Sequence, residues 1–315
     1  MIRIGTRESK LAVWQAEQVQ QQLAAHGFAA ELVYIKSEGD IDLTTPLYAM
    51  GVQGVFTRSL DVALLNGRID VAVHSMKDVP TQLPVGITQA AILPRGPVND
   101  LIVFKNELTQ NIYNNFDAAE NSIDVTENDF TIATSSIRRK AQWLHRFGHH
   151  EVCNLRGNVI TRLQKLQTEP WDAAIFAQAG LERIQVRPAT SEVLNWMLPA
   201  PAQGAIMIVC RTADEPVKEA TTLLNDSNTA ICTKIERDFL RSLMGGCSTP
   251  ISALATINDN SIQFKGNIFS TNGKEKAEVE KKFSLNEFEN AGTVAANELL
   301  QNGGEAIAAA IRNAK

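Results

Sequence analysis

The sequence predicts an α/β protein built from two doubly wound units and a small C-terminal α+β domain with a three-stranded antiparallel sheet. Three observations carry this. Short β-rich runs alternate with helical patterns through the first hundred residues, as parallel βαβ units require. The alternation resumes between Phe130 and Ala177. A long helical pattern then leads into three strand-like runs, the last two joined by Asn272-Gly273, a strong hairpin signal. At 315 residues the chain exceeds the size at which one core keeps growing, so two or three domains are expected.

In the first unit, Arg3 to Gly5 closes a strand and Ser9 is placed to cap a helix. That helix has apolar positions Ala12, Ala16, Val19 and Leu23 that recur at four, three and four residues and ends before Gly27. A strand from Glu31 to Ile35 and a helix from Thr57 to Asn66 follow. Ile69 to Val73 is a short apolar run of buried-strand type. In open α/β sheets ligands bind beyond the carboxyl ends of strands, which is where His74-Ser75-Met76-Lys77-Asp78 falls.

Residues 105 to 129 are rich in Asn and Asp and read as a mobile surface segment. The second unit then runs strand Phe130–Ala133, helix Ser136–Phe147, strand Glu151–Asn154, helix Val159–Gln167 and strand Ala173–Ala177. After Pro201-Ala202-Gln203-Gly204 an apolar strand, Ala205 to Cys210, suits a return into the first sheet, so the chain crosses twice between units and makes a hinge. The third part holds a helix from Thr229 to Leu243, the Gly245-Gly246-Cys247 loop, the three strands and two helical patterns, Leu285–Gln301 and Glu305–Asn313. The predicted spans are 1–103 with 204–225, then 104–203, then 226–315.

The chain has a formal net charge of -5, yet Thr134 to Arg187 carries nine Lys and Arg against four acids. Arg grips carboxylate or phosphate through two parallel hydrogen bonds, so arginines beside hydroxyls suit a ligand with several fixed anionic groups. Thr134-Ser135-Ser136 ends a strand and opens a helix, where amides and dipole favour an anion, and a plain N-cap is the alternative. Arg138 and Arg139 in the first turn oppose that dipole. An anionic ligand would offset the repulsion. Asp78 reads either as a partly desolvated carboxylate that moves protons or stabilises a cation, or as a cap on the turn before Pro80. Cys247 reads as a small buried residue or a covalent anchor.

The net acidity and the lack of aromatics among the basic residues argue against nucleic acid. No apolar run approaches the roughly 20 residues of a membrane span, and the first residues lack a secretory pattern, so a cytoplasmic chain is expected. The four cysteines, Cys153, Cys210, Cys232 and Cys247, form no Cys-x-x-Cys pair and are expected to be thiols, with no metal site.

Five stretches taken in order, Thr6-Arg7-Glu8-Ser9-Lys10-Leu11-Ala12, His74-Ser75-Met76-Lys77-Asp78-Val79-Pro80, Thr134-Ser135-Ser136-Ile137-Arg138-Arg139, Leu155-Arg156-Gly157-Asn158-Val159 and Gly245-Gly246-Cys247, closely resemble the porphobilinogen deaminase (hydroxymethylbilane synthase) family. Pro201-Ala202-Gln203-Gly204-Ala205 lies between the last two. The resemblance implies two lobes like the halves of a type II periplasmic-binding-protein fold and a third domain that carries the cysteine. It implies a transferase of tetrapyrrole biosynthesis that joins four porphobilinogen molecules head to tail, with loss of four ammonia, to give linear hydroxymethylbilane. By the same resemblance Cys247 holds a dipyrromethane cofactor through a thioether, and Asp78 stabilises positive charge on pyrrole nitrogens. Lys77, Ser135, Arg138, Arg139 and Arg156 are implied to hold the cofactor, and Arg7, Ser9, Thr134, Ser136, Arg162, Arg183 and Gln203 the substrate. A monomer is implied as well. The chain departs from the family at Gln53, Val209 and Met244, where many relatives carry Lys, Glu and Glu. The rival reading from the residues alone is a non-catalytic, two-lobed anion-binding protein.

Overall fold

The computed structural model describes residues 1–36, 57–118, 130–243 and 249–313. Its first lobe contains β1 (Ile2–Thr6), α1 (Lys10–Ala25), β2 (Ala30–Tyr34), α2 (Arg58–Leu65), β3 (Val71–Ser75) and β4 (Ile87–Ile92). The second contains β5 (Asp100–Phe104), α3 (Glu107–Ala118), β6 (Thr131–Ala133), α4 (Ile137–Arg146), β7 (Glu151–Cys153), α5 (Val159–Thr168), β8 (Ala173–Ala177), α6 (Gln178–Glu182) and β9 (Ser191–Val193). The chain then returns through β10 (Ile206–Arg211) and α7 (Glu215–Thr222). It ends in a third domain of α8 (Ser227–Ser242), β11 (Ile251–Asn258), β12 (Ser261–Phe269), β13 (Lys276–Ser284), α9 (Phe288–Leu299) and α10 (Glu305–Asn313).

The first sheet has the order β2-β1-β3-β10-β4 and the second β7-β6-β8-β5-β9. Each is parallel on one side, with antiparallel strands on the other: β10 runs against β3 and β4, and β5 against β8 and β9. These are the two α/β lobes that the sequence predicts. β10 enters the first sheet from the far side of the second lobe, as its apolar pattern predicts. β5 already pairs with β8, so the chain has crossed by Asp100, a few residues before the expected boundary after 103.

Period-two alternation decides which face each core residue joins. Val71 and Val73 pack with Ile4, Ile208 and the α1 residues Ala16, Val19 and Leu23, whereas Ala72 packs with Met207, Val209 and the α2 residues Leu60 and Leu64. Both faces are covered, and each buried Leu or Val side chain contributes about 1.5–3 kcal/mol. Val209, one of the expected departures, is buried between Ala72 and Gln89 of the flanking strands. Gln53 and Met244 lie outside the described residues.

Two expectations need correction. The buried strand expected at 69–73 runs from Val71 to Ser75, because pairing with β10 extends to Ser75↔Ile206. Only Met76 to Asp78 leaves the sheet, as a 3-10 turn. The stretch expected to be a mobile segment contains α3. Asn106 accepts a hydrogen bond from the Thr109 amide at 3.0 Å, which caps the helix, and Tyr113 is buried against Phe104, Trp143 and Phe147. The polar composition hides this single aromatic anchor. Residues 119–129 of that stretch lie outside the described residues.

The third sheet is an antiparallel meander, β11-β12-β13, and Gly273 takes φ 73° in the turn that joins its last two strands. One face packs on α8, α9 and α10 through Ile235, Phe239, Phe264, Ala295 and Leu299.

Candidate active site

The site forms where the crossing segments bring the two lobes together. From the first lobe comes the Met76–Asp78 turn at the carboxyl end of β3, with Lys77 and Asp78 half-buried. Arg7, Gln15, Thr57, His74, Ser75 and Asp78 line one small cleft. Gln15 donates to the Ser75 hydroxyl at 2.9 Å. Ser9 caps α1, accepting from the Ala12 amide at 3.4 Å. His74 is buried, and desolvation, followed by the charge of Arg7, pushes its pKa down to about 3, so the ring is neutral at ordinary pH.

The second lobe contributes two helix entrances. Thr134 to Ser136 connect β6 to α4. Thr134 is buried, Ser135 donates to the Leu155 carbonyl, and Ser136 accepts from the Arg139 amide at 3.4 Å. Arg156 is buried in the loop before α5. Gly157 has φ 112°, and a Cβ there would lie 2.8 Å from the Thr161 side chain, so only glycine fits. Asn158 caps α5 by accepting from the Thr161 amide at 3.0 Å, and Arg162 Nε donates to the Gly157 carbonyl at 2.7 Å.

Arg138 and Arg139 are buried, and the anion that offsets them belongs to the protein. Arg138 donates to Asp100 Oδ2 at 2.6 Å and to the Leu198 carbonyl at 2.7 Å. Arg139 donates to Asp100 Oδ1 at 2.7 Å and to the Ile175 carbonyl at 2.9 Å. Burial opposes ionisation of Asp100, which is 0% exposed, but the two guanidinium groups outweigh it and hold the carboxyl well below its usual range. Asp100, and not only a ligand as the sequence suggests, therefore answers the two arginines that oppose the helix dipole. Asp100 opens the apolar run Leu101-Ile102-Val103-Phe104, and an acid at the head of an all-buried strand is the signal that would have revealed it.

Gln203 joins the lobes. Its Nε2 donates to Asp100 Oδ1 at 2.9 Å and to the Val98 carbonyl at 2.7 Å, while its Oε1 accepts from Lys77 Nζ at 3.1 Å. Burial and the nearby Arg139 together push the Lys77 pKa down to about 8. Arg162 is lowered to about 10 by burial and by Arg139 and Arg156, against which the charge of Asp78 acts. Asp78 is thus the acid whose charge reaches the Arg162 guanidinium. Arg183, lowered to about 10 by burial, sits apart from this group over the crossing. It donates to the Gly204 carbonyl at 2.6 Å and stacks on Trp14 of the first lobe at 5.5 Å. Gly204 has φ 86°, and a Cβ there would meet the Gly96 carbonyl oxygen at 2.6 Å, so the two crossing segments pass in direct contact.

A second buried acid that the sequence reading missed ties all three parts together. Glu236 of α8 is 0% exposed and pairs with Arg95 through contacts of 2.6 and 2.9 Å. It also accepts from the amides of Ala202 at 2.6 Å and Ala255 at 2.8 Å. A Glu among the buried positions Cys232, Ile235 and Phe239 of one helix was its signal. Cys247 lies outside the described residues. Cys153, Cys210 and Cys232 are free thiols, and among the described residues no helix is long and apolar enough to cross a membrane.

The donor set fits a carboxylated ligand. Arg7 and Asp78 line one small cleft, Lys77 stands beside Asp78 on the same turn, and Arg156 and Arg162 flank the entrance of α5, where Arg156 is buried and burial is the first cause that lowers Arg162. A dipyrromethane, with an acetate and a propionate on each ring, is a ligand of this kind.

Comparison with known proteins agrees with this chemistry. The family profile described as "Porphobilinogen deaminase, dipyromethane cofactor binding domain" matches residues 2–219, and "Porphobilinogen deaminase, C-terminal domain" matches residues 230–301. The porphobilinogen deaminase of Chlorobium phaeobacteroides (strain BS1) is 38% identical over 98% of this chain and 97% of its own length. That of Moorella thermoacetica is 39% identical over 96% and 94%. The chloroplastic enzyme of Oryza sativa subsp. japonica is 41% identical over 87% of this chain and 75% of its own length. With both profiles in order along the chain and relatives matched over nearly its whole length, the chain belongs to the porphobilinogen deaminase family.

Proposed function

We propose that this chain condenses four porphobilinogen molecules head to tail into hydroxymethylbilane, with Asp78 as the working carboxylate and the second lobe's arginines as the carboxylate holders. The observation that carries the reading is the placement of half-buried Asp78 in one small cleft with Arg7, beside Lys77, which is joined through Gln203 to the Asp100–Arg138–Arg139 group of the second lobe. Arg7, Arg156 and Arg162 bind and orient the acetate and propionate groups, and Ser135, Ser136 and Thr134 complete their hydrogen bonds. Ser9 and Arg183 assist from the cleft margin. Lys77, Arg138 and Arg139 hold the cofactor's carboxylates, the last two with Asp100 fixing their geometry.

As the aminomethyl nitrogen of the substrate leaves as ammonia with its bonding electron pair, the substrate is left an electron-poor azafulvene with positive charge on its ring nitrogen. Asp78 stabilises that charge by accepting a hydrogen bond from the pyrrole N–H. A fixed carboxylate in a cleft with little water does this with no reorganisation at the moment of reaction. It then takes the proton that leaves the attacking α-carbon of the terminal pyrrole, as that ring regains aromaticity after forming the new carbon–carbon bond to the azafulvene methylene. When bound through Cys247, dipyrromethane supplies the free α-carbon that starts the chain. The segments crossing at Gly96 and Gly204 let the lobes shift as anionic rings accumulate. In this reading the enzyme is a cytoplasmic monomer acting on a small molecule, with no nucleic-acid or membrane partner.

The test is the intact mass of the denatured protein beside a Cys247→Ser variant, both made in a host that produces porphobilinogen. The expected result is a mass excess of two linked pyrrole units, absent in the variant. An unmodified mass under those conditions overturns the covalent primer and favours a non-catalytic anion-binding protein.

A further inference from the structure

Glu236 and Arg237 are neighbours on α8 but grip different parts of the molecule. Glu236 holds the crossing segment at Ala202. Arg237 holds the turn that carries Lys77 and Asp78. Its guanidinium donates to the Val79 carbonyl at 2.9 Å, to the Pro80 carbonyl at 2.6 Å and, more weakly, to the Met76 carbonyl at 3.4 Å. One of these carbonyls precedes the Lys77-Asp78 pair and two follow it, so a single side chain brackets the pair from outside the lobe.

Within its own lobe the turn is anchored by the buried side chains of Met76 and Val79 and by the Lys77 bond to Gln203. Its backbone bonds are Val79 N to Met76 O at 3.1 Å and Met76 N to Ala205 O at 3.0 Å. Behind it lies a cavity of about 590 Å³ lined in part by Met76, Leu83, Met207, Arg237 and Phe288. The turn is therefore not packed solidly against the third domain, and the planar guanidinium bridges part of that gap with directional bonds.

We infer that Arg237 is a positioning residue for the condensation: it fixes the Met76–Pro80 turn, and so the location of Asp78, relative to the third domain. This rests on the reading of Asp78 as the working carboxylate. Removing the clasp frees the turn without touching a group that meets substrate. A misplacement of about 1 Å can cost on the order of 100-fold in rate.

The experiment compares wild-type holoenzyme with Arg237→Gln, Arg237→Lys and Asp78→Asn, using steady-state kinetics, intact mass and amide hydrogen exchange. In Arg237→Gln the Val79 amide is expected to exchange at least about tenfold faster while α8 amides and the cofactor mass are unchanged. In the same variant kcat is expected to fall about 10- to 100-fold, with the KM for porphobilinogen within about twofold. Arg237→Lys, which keeps the charge and part of the donor set, gives the same changes at smaller amplitude and serves if the Gln variant does not fold. Unchanged Val79 exchange, or loosened exchange with unchanged kcat while Asp78→Asn is inactive, overturns the inference. A normal rate in Asp78→Asn instead overturns the reading of Asp78, and the Val79 exchange still decides whether the clasp exists.

Discussion

Lys77 Nζ donates to Gln203 Oε1 at 3.1 Å, which links the first lobe's Asp78-bearing turn to the segment that returns from the second lobe. Gln203 passes the contact on to Asp100, and Asp100 to Arg138 and Arg139. A continuous polar chain thus runs from the turn beside Asp78 to the arginine pair, and a charge change at either end is felt along it.

Asp100 is the keystone of that chain, and its removal leaves two buried guanidinium groups uncompensated. Asp100→Asn is expected to destabilise the protein by about 3–5 kcal/mol, read as a lower denaturant midpoint, and to reduce cofactor loading in parallel. Because the folded carboxyl lies below its unfolded value of 3.8, its stabilisation is complete above that value and is lost as pH falls below it. The wild type should therefore show an acid-side loss of stability that Asp100→Asn lacks. A variant as stable as wild type would show that the arginines find other anions.

Asp78 lines the small cleft of the first lobe, and among the described residues no ion pair depends on it. Asp78→Asn is expected to lower kcat on the order of 100- to 1,000-fold, the usual cost of removing one preorganised electrostatic stabiliser. The denaturation midpoint and the intact mass should stay close to wild type. A near-normal rate would remove Asp78 from the mechanism.

Lys77 gives the site a pH dependence. Burial and Arg139 push its pKa down to about 8 from 10.5, so the ammonium is present below about 8 and lost above it. In the cofactor-free Cys247→Ser protein, stability should rise as pH climbs from about 8 toward 10.5, because the folded state binds that proton more weakly than the unfolded chain. In the loaded protein the added carboxylates raise the value, moving the titration to higher pH. NMR of the Lys77 ammonium in both proteins measures the difference, and an equal value in the two would mean that Lys77 does not meet the cofactor.

The sequence by itself determined the two α/β lobes, the returning β10, the C-terminal hairpin and the basic stretch at the entrance of α4. Each of these is written locally: alternation of period two, apolar positions three and four apart, Asn-Gly at a turn, arginines beside a helix entrance. It did not disclose α3, because the stripe of Thr109, Ile112 and Tyr113 is short and stands in a segment whose many Asn and Asp read as loop.

Only the tertiary structure decided what each charge works against. Arg138 and Arg139 read as ligand-binding cations until Asp100, nearly forty residues earlier in the chain, met them in the core. Glu236 read as one acid on a helix until folding placed Arg95 and the Ala202 amide against it. Ion pairing in a low-dielectric interior depends on distances of a few ångströms between residues remote in sequence. No local pattern encodes those distances, so the partners appear only once the lobes have closed on one another.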